Sequence, residues 1–226
     1  MSLKIDWATH EAAKFACENW HYSRRMPVNK TVKVGAWENE RFIGVVIFSP
    51  GATPALYKTY RITQQEGCEL TRIALKSHQT PVSRILSLAI KFLKKSNPGM
   101  RLIISFADTA HGHHGGIYQA TNWIYVGTAS PRRLPKLNGK FIHERSLSVL
   151  VKQGKAKRSD CEWVQAKPKH KYLMPLDNEM RGKVIQLRKP YPKRAGSKDV
   201  VASEYHSEEG GSIPTSALQS QVVDSV

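Results

Sequence analysis

A short apolar segment that ends in an aspartate is the feature that most constrains the fold of this chain. Residues 102–107 are apolar except for Ser105, and they are followed by Asp108 and by a loop rich in glycine and histidine. A short apolar run bounded by turn residues is typical of a buried strand. Because open α/β sheets bind ligands beyond the carboxyl ends of their strands, the pattern predicts a functional site at Asp108.

The amino-terminal part of the chain predicts a helix and a hairpin. Residues 6–20 have alanine and aromatic residues on one helical face, and Asp6 is positioned to cap this helix. Two apolar segments, residues 31–37 and 42–48, are separated by a polar turn, which is typical of a β-hairpin.

The middle of the chain predicts the centre of a sheet. Residues 68–75 alternate as a strand does, and an amphipathic helix follows before the strand at 102–107. The apolar face of that helix is formed by Ile85, Leu88, Ala89, Phe92 and Leu93. A short helix at 115–122 and a strand at 123–128 come next, with Trp123 and Tyr125 as core residues. This order predicts a mixed α/β sheet flanked by helices, with one central β-α-β crossover.

The charge of the chain indicates a polyanionic partner. Its 226 residues include 35 Lys and Arg against 18 Asp and Glu, a net charge of +17. DNA or RNA is the first candidate for such an excess, and a membrane surface is the weaker one. The sequence has no apolar run of membrane-spanning length and no signal-peptide core, so we expect no membrane insertion. Three scattered cysteines fit a reducing cytosol.

The basic residues are concentrated in the second half. Residues 131–198 contain 19 Lys and Arg against 5 Asp and Glu, whereas residues 199–226 contain none against 5 and are rich in Ser, Gly and Glu. We therefore predict a domain at 1–150 that contains the site at Asp108, a basic DNA-contacting extension that completes the fold at 151–198, and a disordered acidic tail at 199–226. DNA binding through such a basic segment is expected to depend steeply on salt.

The strand, turn and long helix in the middle of the chain resemble the fold of acyl-CoA-dependent N-acetyltransferases (GNAT). In that fold the turn before the helix presents backbone N–H groups to the pyrophosphate of coenzyme A. The family motif, Gln/Arg-x-x-Gly-x-Gly/Ala, matches here at Gln79, while Val82 and Arg84 stand where the glycines would be. The resemblance implies acetyl-CoA binding at Gln79, Val82, Ser83 and Arg84. Alternatively, Ser83 is an ordinary helix cap and Arg84 a surface residue.

Five blocks of sequence resemble the Mom family of DNA-modification proteins, known from bacteriophage Mu. They are residues 20–23, 42–48, 69–75, 81–87 and 101–127. The match is close over the first 130 residues and looser afterwards, where residues 172–176 resemble a final strand of the family. Members convert adenine in double-stranded DNA to N6-carbamoylmethyl (acetamido) adenine, which protects phage DNA from host restriction.

The resemblance to the Mom family implies a function, a donor and a setting. It implies a GNAT-like transferase that acts on adenine in double-stranded DNA, with acetyl-CoA as the donor. It also implies a phage or prophage protein that works in the cytoplasm of the bacterial host, and it leaves a homodimer open.

Three residues are candidates for the chemistry on adenine. The exocyclic amine of adenine is a poor nucleophile, and Asp108 could orient it and take its proton. Alternatively, Asp108 only caps the loop that follows its strand. His21 and Tyr22 follow the first helix, where GNAT-like folds form the acceptor side of their cleft. There His21 could relay protons and Tyr22 could stack on an extruded base; otherwise the two are an exposed helix end.

Two further candidates lie on the predicted sheet and on the short helix after it. Arg72 has apolar neighbours in mid-strand, so it either pairs with Glu69 or Asp108 or faces the ligand cleft. The resemblance to GNAT folds implies that Tyr118 faces the cleft and protonates a departing thiolate.

The histidines of the loop permit two interpretations. His111, His113 and His114 with Asp108 could hold a divalent metal such as iron, which would help because joining a methyl carbon to nitrogen is not acyl transfer. Their spacing matches no known ligand motif, and the neighbouring glycines favour a mobile rim of the cleft. We favour the rim and leave the metal open.

Two other functions fit parts of the sequence. A non-enzymatic DNA-binding protein with a degenerate GNAT fold would explain the missing glycines. A GNAT that acetylates a small amine or a protein would explain the order of elements, but its charge would be unusual.

Overall fold

The computed structural model describes residues 2–142 and 144–193; the predicted acidic tail at 199–226 lies outside these residues. Ten strands and six helices occur in the described part. In chain order they are β1 (Leu3–Trp7), α1 (His10–Trp20), β2 (Val32–Glu38), β3 (Arg41–Ser49), α2 (Ala55–Lys58), β4 (Gly67–Leu75), α3 (Val82–Ser96), β5 (Leu102–Asp108), α4 (Gly116–Ala120), β6 (Ile124–Thr128), β7 (Arg133–Leu137), β8 (Lys140–Phe141), α5 (Glu144–Lys152), β9 (Cys161–Gln165), β10 (Lys169–Pro175) and α6 (Asn178–Ile185).

Seven of the strands form a mixed central sheet. Their order is β1-β2-β3-β4-β5-β10-β6, and all neighbours are antiparallel except β4 and β5. The helix α3 connects this one parallel pair, as β-α-β crossovers do. The predicted α/β fold class, a mixed central sheet flanked by helices with one central crossover, is confirmed. Among the described residues, no helix is long and apolar enough to cross a membrane.

Helices cover both faces of the sheet because successive side chains of each strand point to opposite sides. On β3, Val46 packs in the cluster under α3, whereas Val45 and Ile47 pack against α1. The predicted core residues Trp123 and Tyr125 are buried. The buried stripe of α3 is rotated slightly from the predicted one, since Leu88 and Phe92 are only half-buried. It consists of Ile85, Leu86, Ala89, Ile90 and Leu93.

The first helix begins later than predicted. Residues 3–7 pair with β2 as the edge strand β1, so Asp6 lies on a strand and does not cap the helix. The cap is Thr9, whose hydroxyl accepts the N–H of Ala12 at 3.2 Å. The predicted hairpin is confirmed as β2 and β3, and its turn residues Asn39 and Glu40 are left-handed.

The two parallel strands separate halfway along their length. The ladder of β4 and β5 joins Gly67–Leu70 to residues 102–105 and stops there. At the point of separation, the hydroxyl of Ser105 donates to the carbonyl of Leu70 at 2.9 Å. The carboxyl-terminal halves of β4 and β5 therefore diverge, and a cleft opens between them.

A second, smaller sheet is inserted between β6 and β10. We call residues 129–168 the insert; its three strands are in the order β8-β7-β9, and α5 packs on β7. Two connections join it to the central sheet side by side. The N–H of Ala129 donates to the backbone carbonyl of Lys169 at 2.8 Å, and the N–H of Ala166 donates to the backbone carbonyl of Arg132 at 2.7 Å.

The chain returns from the insert to the middle of the central sheet. The strand expected at residues 172–176 is confirmed as β10, which pairs with β5 on one side and β6 on the other. The segment predicted as a basic extension, 151–198, thus supplies a central strand. The division into a domain at 1–150 and an extension at 151–198 stays a prediction.

Candidate active site

A cleft of about 640 Å³ lies where β4 and β5 diverge. Five elements line it: the end of α1, the strands β4 and β5, the loop after Asp108, and α4. The lining residues are Trp20, His21, Tyr22, Thr71, Arg72, Ile73, Phe106, Ala107 and residues 112–118. The structure thus brings together four sequence-predicted residues, His21, Tyr22, Arg72 and Tyr118. Asp108 and the four predicted cofactor residues do not line this cleft.

Another open depression, of about 690 Å³, contains none of the candidate residues. It lies at the carboxyl-terminal end of α3, and Lys91, Lys95 and Arg181 line it. The remaining lysine there, Lys94, donates to the carbonyls of Pro98 and Met100, each at 2.7 Å, and so caps its own helix. We therefore assign the chemistry to the cleft between β4 and β5.

Tyr118 is fixed at the base of the cleft by a chain of hydroxyl groups. Its oxygen lies 2.8 Å from Oγ of Ser105, which in turn bonds the Leu70 carbonyl. Because a carbonyl only accepts, the Ser105 proton is committed to Leu70, and Tyr118 donates to Ser105. Burial raises the pKa of Tyr118 to about 12, so the phenol is protonated at neutral pH. Its ring packs against Trp123, with the centroids 5.0 Å apart.

His21 is a buried, neutral imidazole on the other side of the cleft. Its Nδ1 accepts the N–H of Ser23 at 3.1 Å. That bond assigns the ring proton to Nε2. Burial first, and then the positive charge of Arg72, lower the pKa of His21 to about 4. At neutral pH the side chain is therefore uncharged, with one N–H donor.

Tyr22 forms an aromatic surface at the mouth of the cleft. The centroid of its ring lies 4.3 Å from His21, 4.5 Å from His111 and 5.0 Å from His113. Burial is the main cause that raises the pKa of Tyr22, so its hydroxyl is protonated. More than a third of the side chain is exposed. Such a half-exposed ring is suited to stacking against a planar ligand.

Arg72 is a cation in the cleft without an acidic partner. Its Nη1 donates to the carbonyl of Thr71 at 2.7 Å, and its Nε is buried without a hydrogen-bond partner among the described residues. Within the described part of the chain it forms no ion pair with Glu69 or Asp108. A half-buried guanidinium with free N–H groups is suited to an anionic or carbonyl-bearing ligand.

Asp108 lies at the rim of the cleft, engaged by a lysine. Its Oδ2 is 2.7 Å from Nζ of Lys169, and its Oδ1 accepts the N–H of Ala110 at 3.1 Å. Burial alone raises the pKa of Asp108, but the hydrogen bond and charge of Lys169 outweigh it, so the pKa lies below its usual value. The carboxylate caps the 3₁₀ turn Thr109–His111 that begins the loop.

The glycine-rich loop is tied to the sheet at its centre. The hydroxyl of Tyr172 donates to the carbonyl of His114. Gly115, which follows, has φ +84°, and a Cβ there would lie only 2.4 Å from the Tyr172 ring. A glycine is therefore required at this position by both the backbone and the close approach.

The described residues do not fit a preformed metal site. No group of three or more His, Cys, Asp and Glu side chains is arranged to hold an ion within residues 2–142 and 144–193. The carboxylate of Asp108 is bonded to Lys169, and the rings of His111 and His113 are 6.1 Å apart. The metal hypothesis for the loop therefore has no support from their arrangement.

A carboxylate of the protein occupies the turn before α3. Glu38, at the end of β2, accepts the N–H of Gln79 at 3.0 Å and the N–H of Thr80 at 2.7 Å. The hydroxyl of Thr80 donates to it as well. These bonds, first that of the Thr80 hydroxyl, hold the pKa of Glu38 below its usual value. Sequence analysis missed this residue because it lies 41 positions before the turn.

Ser83 does not cap α3, so the alternative interpretation of this residue as an ordinary helix cap is wrong. The N-cap is Pro81, and Ser83 is the second residue of α3. The N–H groups of Val82 and Ser83 have no hydrogen-bond partner among the described residues, as is usual in the first turn of a helix. The positive end of α3 therefore has two free donors next to the occupied turn.

The predicted basic segment is not one uniform surface. Lys183 pairs with Glu179 on α6 at 2.6 Å, and Lys169 pairs with Asp108. Lys171 lies over the ring of Tyr60, where burial lowers its pKa. Of the described cations in this segment, those without ion pairs are mostly on the insert.

Comparisons with known proteins agree with the sequence blocks. A model of the Mom protein family matches residues 2–193. The methylcarbamoylase mom of Escherichia phage Mu is 26% identical over 156 residues, 67% of this chain and 64% of that protein. The match thus spans slightly less than two thirds of the relative's length.

Solved structures of acetyltransferases are similar to this chain at lower sequence identity. An N-acetyltransferase from Staphylococcus aureus Mu50 is 12% identical, with 78% of this chain and 99% of that one covered and a TM-score of 0.46. An aminoglycoside 6'-N-acetyltransferase from Enterococcus faecium is 14% identical, with 76% and 96% covered and a TM-score of 0.42. An aminoglycoside acetyltransferase in complex with coenzyme A is 11% identical, with 80% and 98% covered and a TM-score of 0.46.

Proposed function

The chain belongs to the Mom protein family, and on this premise we propose that it is a transferase that converts adenine in double-stranded DNA to N6-carbamoylmethyl adenine. The product would protect phage DNA from restriction in the cytoplasm of the bacterial host. One observation supports the proposal above all. The cleft combines a protonated phenol, an unpaired guanidinium and an exposed aromatic ring, from Tyr118, Arg72 and Tyr22.

The acceptor side of the cleft is suited to an extruded base. The exposed ring of Tyr22 would stack on adenine, which must leave the duplex to reach a cleft. The Nε2–H of His21 would donate to a ring nitrogen, because the imidazole is neutral at physiological pH. Asp108 would orient the exocyclic amine from the rim and accept its proton after Lys169 has moved aside.

The donor side would hold acetyl-CoA, which supplies a two-carbon unit as a thioester when bound. The free N–H groups of Val82 and Ser83 and the guanidinium of Arg84 would hold its pyrophosphate at the start of α3. Gln79 would contribute its side chain, since its N–H is bonded to Glu38. Arg72 would bind the carbonyl oxygen of the donor, and Tyr118, a phenol that is protonated at neutral pH, would be positioned to give its proton to the thiolate of coenzyme A.

A second candidate function has its own supporting observation. Glu38 occupies two of the turn N–H groups that would otherwise bind pyrophosphate. A chain that had lost its cofactor would be expected to fill the turn in this way. The alternative is therefore a non-enzymatic, basic DNA-binding protein with a degenerate GNAT fold.

Nucleoside mass spectrometry of DNA from cells that express the chain separates the two functions. The proposed enzyme replaces one hydrogen of the deoxyadenosine amine with a carbamoylmethyl group, and the mass rises accordingly; Asp108→Ala abolishes the adduct. Val28→Ala is the control, because Val28 is 99% exposed and is not among the residues that line the cleft. Unchanged nucleosides together with tight duplex binding would instead establish the second function.

A further inference from the structure

The insert has the largest group of free cations among the described residues. Residues 129–168 contain ten Lys and Arg and three Asp and Glu. Within the described part, Lys136 and Arg158 form ion pairs, with Glu162 at 3.1 Å and Glu144 at 3.7 Å. Among the insert residues whose side chains are described, the other cations are exposed and form none. They include Arg132, Arg133, Lys140, Lys155, Lys157 and Lys167.

An aromatic side chain projects from the middle of these charges. Phe141 is 60% exposed, more than any other aromatic side chain in the described residues. It lies on β8, opposite Lys136 of β7 and next to Lys140. The two strands are joined by Asn138 and Gly139, both left-handed, which makes a tight two-residue turn. A large apolar group at the tip of a stiff, basic hairpin costs solvation free energy unless a partner covers it.

The insert is attached at the edge of the candidate active site. Two backbone hydrogen bonds join the connecting segments to each other. One runs from Ala129 to Lys169, and the other from Ala166 to Arg132. At their base, Thr109 donates to the carbonyl of Pro168 at 2.6 Å. Lys169 pairs with Asp108 at the same place. A duplex held by the insert would therefore lie against the rim of the cleft.

We propose that the β7–β8 hairpin enters the DNA duplex and that Phe141 inserts between base pairs beside the target adenine, with the cations of the insert on the phosphates. This inference rests on the proposed function. An enzyme that modifies a paired base must first take it out of the stack. Proteins that open duplexes commonly place an apolar wedge between base steps and hold the backbone with Lys and Arg. The hairpin has both parts, and its charge selects DNA over an apolar or basic partner.

The test uses the full-length chain and a duplex with 2-aminopurine at the target adenine, whose fluorescence rises when it leaves the stack. The wild type is expected to raise the fluorescence, and Phe141→Ala to lower that rise at least about fivefold. Phe141→Trp is expected to restore it, because tryptophan also fills the gap. Val149→Ala is the matched control; this residue is 51% exposed on α5 of the same insert.

A duplex with a mismatch opposite the adenine distinguishes a wedge from a merely structural residue. A mismatched base leaves the stack more easily, so Phe141→Ala is expected to lose less adduct formation there than on the paired duplex. An equal loss on both, or an unchanged fluorescence rise in Phe141→Ala, overturns the proposal. So does a shift from dimer to monomer in sedimentation of Phe141→Ala, since Phe141 would then pack on a second copy.

Failure of the proposed function has a different signature. If no adduct forms on any DNA but the fluorescence rise depends on Phe141, the hairpin still opens the duplex and the assignment as a transferase is wrong. If adduct forms and the wild type gives no rise at saturating protein, the wedge is wrong and the transferase stands.

Discussion

Lys169 lies directly opposite Asp108 on the neighbouring strand, and the two side chains form an ion pair of 2.7 Å. Asp108 is thereby held as an anion at the rim of the cleft. The same pair joins the base of the insert to the end of β5. A group that displaced Lys169, such as a DNA phosphate, would free the carboxylate for the substrate amine.

Replacing Lys169 by methionine is expected to raise the pKa of Asp108. Burial raises this pKa, and Lys169 is the first of the groups that lower it; without Lys169, burial is opposed only by the N–H of Ala110 and by His111. The pair contributes stability above the unfolded pKa of aspartate, and this contribution is lost as pH falls through the lower folded pKa. NMR titration of the Asp108 carboxyl carbon measures the change. Lys169→Arg is the control and keeps the pKa low; an unshifted titration in Lys169→Met would contradict the ion pair.

Tyr118→Phe is expected to lower adduct formation by about 10² to 10⁴-fold while the protein stays folded. The phenol lines the cleft and is protonated at neutral pH, and the variant leaves its ring packing intact. Single-turnover kinetics by nucleoside mass spectrometry provide the measurement. Ser105→Ala is the companion variant. It leaves the Leu70 carbonyl unbonded where the strands part, and we expect it to cost about 1–3 kcal/mol in urea unfolding. Equal activity of Tyr118→Phe and the wild type would exclude Tyr118 as the acid.

Removing the charge of Arg72 is expected to raise the pKa of His21 from about 4 towards its usual value without reaching it. Burial is the larger cause of the low pKa and stays in place, whereas the repulsion from Arg72 disappears in Arg72→Met. NMR titration of the imidazole follows the shift. Arg72→Lys is the control that keeps a positive charge. No difference between the methionine and lysine variants would show that the guanidinium does not act on His21.

Glu38→Gln is expected to destabilise the protein most at neutral pH. The pKa of Glu38 is held below its usual value, so its bonds to Thr80 and Gln79 stabilise the fold above that range and weaken as pH falls through the folded pKa. The difference in thermal midpoint between wild type and variant should therefore shrink below about pH 4. Glu40→Gln, in the adjacent turn, is the control. A difference that did not change with pH would mean that the carboxylate charge is not involved.

Duplex binding is expected to weaken steeply as salt rises, because cations of the insert replace counterions on phosphates. Lys140→Gln and Lys157→Gln should each reduce the slope of log affinity against log salt by about 1. Lys183→Gln is the matched control, since Lys183 pairs with Glu179 on α6. Fluorescence anisotropy over a series of salt concentrations provides the slopes. An affinity that stayed flat over the series would exclude phosphate contacts as the basis of binding.

The central crossover could be predicted from sequence because its signals are local. The apolar periodicity of α3 and the apolar run of β5 each reflect which side chains of that element are buried. The start of α1 was misplaced because residues 3–7 mix polar and apolar side chains as an edge strand does. Four of the five catalytic candidates line one cleft since each follows or lies on a recognisable element.

The insert and the Glu38 contact could not be predicted in the same way. The insert strands are short, β8 has two residues, and β7 contains a proline, which argues against a strand. Glu38 is an ordinary turn glutamate in sequence, and only the fold brings it to Thr80. The Glu38 contact joins segments far apart in the chain, and β7 pairs with β9 across α5, so periodicity gives no signal for either contact.

The position of β10 between β5 and β6 has a consequence for biosynthesis. Because β6 reaches the rest of the sheet only through β10, a nascent chain released up to residue 168 has its insert complete while β6 still lacks a neighbour. Domains generally begin to fold as they leave the ribosome. The basic hairpin would therefore form before β10 completes the central sheet, and a message truncated before the codon of Lys169 would encode a protein in which the strand between β5 and β6 is missing.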